Sequence, residues 1–154
     1  MNLVVHELKA NTGTGSLYQT LTTAASPAYQ EIYAVRPHLL KYASPAGSLY
    51  IEIQDNAGSL LATSETIAIT DISAIAYFHG YVRFPVNVRL APSASYRVAL
   101  KYSGLYAFAE AAYIGWCGDY DLVKYGVGYT PVGSLDRPLD VEIFTRRIPR
   151  KGYY

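Results

Sequence analysis

Residues 48–54 read SLYIEIQ, residues 79–90 read HGYVRFPVNVRL, and residues 95–102 read SYRVALKY. In each run apolar and polar side chains alternate. Leu49, Ile51 and Ile53 oppose Tyr50, Glu52 and Gln54, and Tyr96, Val98, Leu100 and Tyr102 oppose Arg97, Ala99 and Lys101. In the longest run Val82, Phe84, Val86, Val88 and Leu90 oppose Tyr81, Arg83, Pro85, Asn87 and Arg89. A period of two sends successive side chains to opposite faces of an extended backbone, which predicts strands with one face on a core. Pro85 lacks the N–H that a ladder needs, so the run that holds it is expected at an edge or a bulge.

Turn signals separate these runs. Asp55-Asn56-Ala57-Gly58 supplies residues that tolerate positive φ and predicts a hairpin returning through Leu60-Leu61. Ser26-Pro27, Ser44-Pro45-Ala46-Gly47 and Ala91-Pro92-Ser93 punctuate the chain in the same way. Further strands are expected over 16–22, 29–40, 66–69, 106–117 and 139–144. Thr70-Asp71-Ile72-Ser73 suits a short helical turn capped by Thr70 or Asp71. Residues 108–112 contain good helix formers, but Tyr106, Phe108, Ala112, Ile114 and Trp116 keep period two, which favours a strand. Roughly eight or nine strands make an all-β, two-sheet antiparallel sandwich or jelly roll. One domain is expected over 1–144, followed by a basic extended tail over 145–154.

Composition narrows the function classes. The charged fraction of 16% lies below the roughly 25% of an average globular chain, and sixteen residues are tyrosine. Tyrosine suits half-buried strands and interfaces, because its ring is apolar while its hydroxyl seeks a partner. Thirteen Lys and Arg against twelve Asp and Glu leave a net charge of +1, without the basic excess of a nucleic-acid binder. Arg146, Arg147, Arg150 and Lys151 are concentrated at the end, so the remaining body carries nine positive and twelve negative charges. Cys117 is the single cysteine, which excludes an intrachain disulfide. The opening MNLVVHELKANTG lacks the pattern of a secretory signal, and no apolar run approaches the length of a membrane-spanning helix. A chain made in and retained by the cytoplasm is expected, with no cofactor.

Several residue groups are candidate sites. His6, His38 and His79 lie in unrelated sequence contexts and no Gly-x-Ser-x-Gly elbow is present, so no enzyme is expected. Cys117 follows Trp116 in an apolar run and reads as an inert buried thiol. Asp119 and Asp121 would point the same way in extended backbone and, with Asp55, Asn56 or Asp71, form an oxygen cage of the kind calcium takes. A solvated loop explains the same residues, and no bound metal is expected. Trp116 with Tyr113, Tyr120, Tyr125 and Tyr129 forms an aromatic-dense segment suited to a protein contact or to stacking on sugar rings. The tail contributes Arg146, Arg147, Arg150, Lys151, Tyr153 and Tyr154 as expected partner-binding residues.

The stretch LYIEIQDNAGSLLATSETIAITDI, followed by GYVRFPV and VRLAPSASYRVALKY, resembles the jelly-roll sandwich modules of tailed-phage virion proteins and of carbohydrate-binding-like domains. In this resemblance Asp55 and Gly58 make the hairpin, Leu60 and Leu61 anchor its return, Pro92 and Ser93 turn the chain, and Tyr96 packs at the next strand. The resemblance covers about one third of the chain and implies fold more than function. It implies a virion structural protein, first a capsid decoration (cement) protein and second a tail, baseplate or fibre component. The expected partners are further copies of itself, in a homo-oligomer for which a trimer is one option, and the major capsid protein, with no nucleic acid and no membrane. The alternative it implies is a glycan-binding module using Trp116 and neighbouring tyrosines.

Overall fold

Alternating side chains demand two apolar faces that cover each other, and the chain meets this demand with two antiparallel sheets. The computed structural model describes residues 3–8, 16–23, 29–104, 109–119, 128–130, 133–134 and 139–148. The first sheet contains β1 (Leu3–Glu7), β3 (Tyr29–Tyr42), β7 (Tyr77–Tyr81), β8 (Phe84–Leu90), β10 (Tyr113–Asp119) and β13 (Val141–Ile148). The second contains β2 (Ser16–Thr22), β4 (Ser48–Asp55), β5 (Leu60–Thr63), β6 (Ile67–Ala68), β9 (Ser95–Ser103), β11 (Gly128–Thr130) and β12 (Gly133–Ser134). A single helical turn, α1 (Ile69–Ile72), follows β6. Ile32, Val35, Leu39, Phe84, Ile114 and Trp116 of the first sheet form one apolar cluster with Leu17, Leu49, Ile51, Ile53, Val98 and Leu100 of the second. The chain is an all-β sandwich.

The second sheet follows the sequence pattern closely. β4 pairs with β9 from Ser48↔Ser103 to Asp55↔Tyr96, and β9 pairs with β2. The hairpin after β4 is built by Asp55, whose carboxylate accepts the N–H groups of Ala57 and Ser59 while Gly58 takes φ +92°. Ala91 N–H donates to the Tyr96 hydroxyl (2.8 Å), fixing the Pro92-Ser93 turn to the start of β9.

The first sheet is organised around the fourteen residues of β3. On one flank β3 pairs with β13 over residues 29–37 and with β10 over 39–42. On the other flank it pairs with β8 over 30–35 and with β7 over 38–42. Both flanks therefore change neighbour at Pro37-His38. Pro37 is tolerated in a central strand because its missing N–H would face the same flank as its carbonyl, where Val82 and Arg83 separate β7 from β8. Val82 N–H donates to that carbonyl (3.0 Å). The same break divides the run 79–90 into two strands. Tyr33 is skipped in the register of both flanking strands, and Pro85 lies opposite Ala34 beside this bulge. Beyond the bulge the outward side chains of β3 are Arg36, His38, Leu40 and Tyr42.

Four expectations need correction. Thirteen strand segments occur among the described residues instead of eight or nine, because breaks and short pairings divide the longer runs. Ala109 and Ala112 bond each other's main chain in a turn, so among the described residues the expected strand 106–117 is extended from Tyr113, with 106–108 outside them. Ala68, with no side-chain hydrogen bond, occupies the N-cap of α1 in place of Thr70 or Asp71. Thr145–Ile148 belong to β13, where each finds a register partner on β3, so the sheet runs into the segment assigned to the tail. Residues 149–154 lie outside the described residues.

Candidate functional site

The outward face of the first sheet gathers aromatic and ionisable side chains along β3. The cross-strand pairs Glu142↔Arg36, His38↔Tyr81, Leu40↔His79, Tyr42↔Tyr77 and Tyr113↔Tyr42 set this grouping, since directly paired residues share a face. Tyr33, Tyr42, Tyr77 and Tyr81 are 39%, 37%, 64% and 40% exposed. Tyr42 stacks on Tyr113 with centroids 5.2 Å apart and meets Tyr77 edge-on at 4.9 Å. The Arg36 guanidinium lies 5.1 Å from the Tyr81 ring centre and 5.7 Å from that of Phe144, and pairs with Glu142 at 2.6 Å. A small apolar hollow beside them is lined by Leu40, Lys41, Tyr42, Tyr77, Phe78 and His79.

At the change of neighbours Asp140 is held from every side. Its N–H donates to Cys117 O (2.8 Å), and its carbonyl accepts both His38 N–H (3.0 Å) and Trp116 Nε1–H (2.8 Å). Its carboxylate oxygen Oδ2 accepts the Tyr81 hydroxyl (2.5 Å) and His38 Nδ1 (3.1 Å). The preceding Leu139 N–H donates across the sandwich to Gln19 Oε1 of β2 (2.9 Å). His38 Nε2 in turn lies 3.1 Å from His79 Nδ1. With a carboxylate that only accepts and two neutral rings, this geometry puts the His38 proton on Nδ1 and leaves its Nε2 to accept from His79 Nδ1–H. Two of the three histidines expected to be unrelated, His38 and His79, thus form one relay with Asp140, and His6 stands outside it. Sequence spacing concealed it because the register of three strands brings these residues together.

Other candidate residues fall elsewhere. Trp116 is fully buried in the core cluster, so its ring is not a platform for a sugar and the glycan reading loses its central residue. Arg146 bonds Glu31 at 2.8 Å within the sheet, which lowers the Glu31 carboxyl, and so it is not a free tail cation. Arg147 pairs with Gln30 in register. Arg150, Lys151, Tyr153, Tyr154, Tyr120, Tyr125 and Asp121 lie outside the described residues, and of Asp119 only the backbone is described. Asp55 uses its carboxylate in its own hairpin; the main-chain N–H of Ser59, foremost, holds it below the usual carboxylate range. Among the described residues no cluster of three or more His, Cys, Asp or Glu is placed to hold a metal ion, and no helix is long and apolar enough to cross a membrane.

Cys117 is buried, and burial, then the charge of Asp140, pushes its thiol up to about 12. The folded protein should therefore resist a thiol reagent at about pH 8 and react as a free thiol only in denaturant. Rapid labelling in native buffer would contradict this burial. Compared with family models and with curated proteins, the chain matches none.

Proposed function

We propose that this chain is a non-enzymatic structural protein that works within a homo-oligomer through the outward face of its first sheet. The observation that carries the reading is the exposure of Tyr33, Tyr42, Tyr77 and Tyr81, all partly open to solvent, on the sheet face where Tyr42 meets Tyr77 and Arg36 lies over Tyr81. Tyrosine and arginine are enriched where proteins meet, since each offers a large, stiff contact surface with a polar end. The setting we propose is a tailed-phage virion, first as a capsid decoration protein and second as a tail, baseplate or fibre component. This setting rests on the sequence resemblance of 48–102 and on the sandwich fold.

Replacing Tyr42 and Tyr77 together by Ser tests the face without touching the core. Contact tyrosines of this kind are worth about 2 kcal/mol each, so association should weaken by about thirtyfold per residue. Sedimentation velocity should show the native chain as an oligomer and the double variant, with unchanged circular dichroism, shifted towards monomer. A double variant that keeps the native mass at every concentration would overturn the assignment of this face.

A further inference from the structure

We propose that the His38–His79 pair is a one-proton switch that decides whether strand β7 stays on the sheet. The ring centroids are 5.4 Å apart and the facing nitrogens 3.1 Å, a difference that matches the two ring radii. The two nitrogens therefore point head-on at each other, with room for one proton between them and none for two. The relay accepts one excess proton without losing a bond. The proton enters at His79 Nε2, and the resulting positive charge is compensated by Asp140 through His38. A second proton makes both rings imidazolium, and two N–H groups then face each other across 3.1 Å. That bond breaks and the two like charges repel.

β7 is the element free to respond. None of its five residues is buried, and among the described residues it pairs only with β3. Beyond its main-chain ladder it is held by His79 on His38, by Tyr81 on Asp140 and by Tyr77 on Tyr42. Segments with exposed ladders and few buried contacts open first in a folded protein. The charged and titratable groups around the pair are Arg36 of β3, Tyr81 of β7, Asp140 before β13, Glu142 of β13 and Cys117 of β10, together with Lys41 of β3, which lines the hollow beside His79 and donates to Ser73 O. Arg36 and Glu142 pair with each other, which leaves Asp140 as the carboxylate bonded to the relay. Tyr77 and Tyr81 travel with β7, so acid opening would also dismantle the proposed contact face. This last step rests on the function proposed above.

Amide hydrogen exchange of residues 77–81 between about pH 8 and pH 5 tests the switch on the full chain. Opening that binds one extra proton should lower the protection factors of β7 about tenfold per pH unit in the acid range, while β8 stays protected. His79→Gln should abolish this dependence, and Asp140→Asn, which removes the compensating charge, should move the opening to higher pH. Protection of β7 that does not vary with pH, or the same acid opening in His79→Gln, would overturn the proposal. If His79→Gln opens β7 at every pH, Asp140→Asn decides: an unshifted opening pH overturns the switch. Loss of oligomer in step with opening supports both readings. Opening with no change of mass supports the switch and counts against the contact face.

Discussion

Trp116→Ala is expected to cost about 3–5 kcal/mol, the range for removing a buried aromatic side chain. Its ring is fully buried among the residues that join the two sheets, and its indole N–H bonds the Asp140 carbonyl, so truncation leaves a cavity and also releases the junction. Urea unfolding followed by far-ultraviolet circular dichroism measures this, since the chain has no second tryptophan for fluorescence. The midpoint should fall sharply while the slope stays near its native value. A loss below about 1 kcal/mol would place Trp116 at the surface and restore it as a stacking platform.

Asp140→Ala is expected to destabilise by about 2–3 kcal/mol, because hydrogen bonds to a charged acceptor are the strong ones and their donors stay behind. His38 is only 8% exposed, so its Nδ1–H would be left largely without water. Asp140→Asn keeps an acceptor oxygen and should lose less; equal losses for the two variants would contradict this account. The same carboxylate sets a pH dependence. The Tyr81 phenol is raised by burial first, then by the hydrogen bond and charge of Asp140 and the charge of Glu142, against the lowering effect of Arg36. The folded chain thus holds this proton more tightly than the unfolded one. Its contribution is complete below the ordinary phenol value of about 10 and is lost as pH rises through the folded value. Thermal melts of the native chain should fall off above about pH 10, and Asp140→Ala should flatten that decline.

The second sheet was legible in the sequence because its strands follow a strict period of two. Leu49, Ile51 and Ile53 on β4 and Tyr96, Val98 and Leu100 on β9 are all buried, and Asp55 and Gly58 make the expected hairpin. The first sheet was less legible for identifiable reasons. The bulge at Tyr33 reverses which side chains of β3 point inward, so its alternation does not run evenly from end to end. Pro37 argues against a central strand unless the gap between β7 and β8 is already known. The relay was not legible at all: His38 bonds His79 across 41 positions and Asp140 across 102, and only strand register makes them neighbours. The one available signal was the polar face of β3, where Arg36, His38 and Tyr42 recur at even positions.

The contact face is the central claim, and the solution mass of the full-length chain near neutral pH tests it most directly. Sedimentation equilibrium over a wide concentration range should give a stable oligomer, a trimer or larger, with the outward tyrosines of the first sheet covered. A monomer at every concentration would contradict the account and leave that face to a partner other than the chain itself.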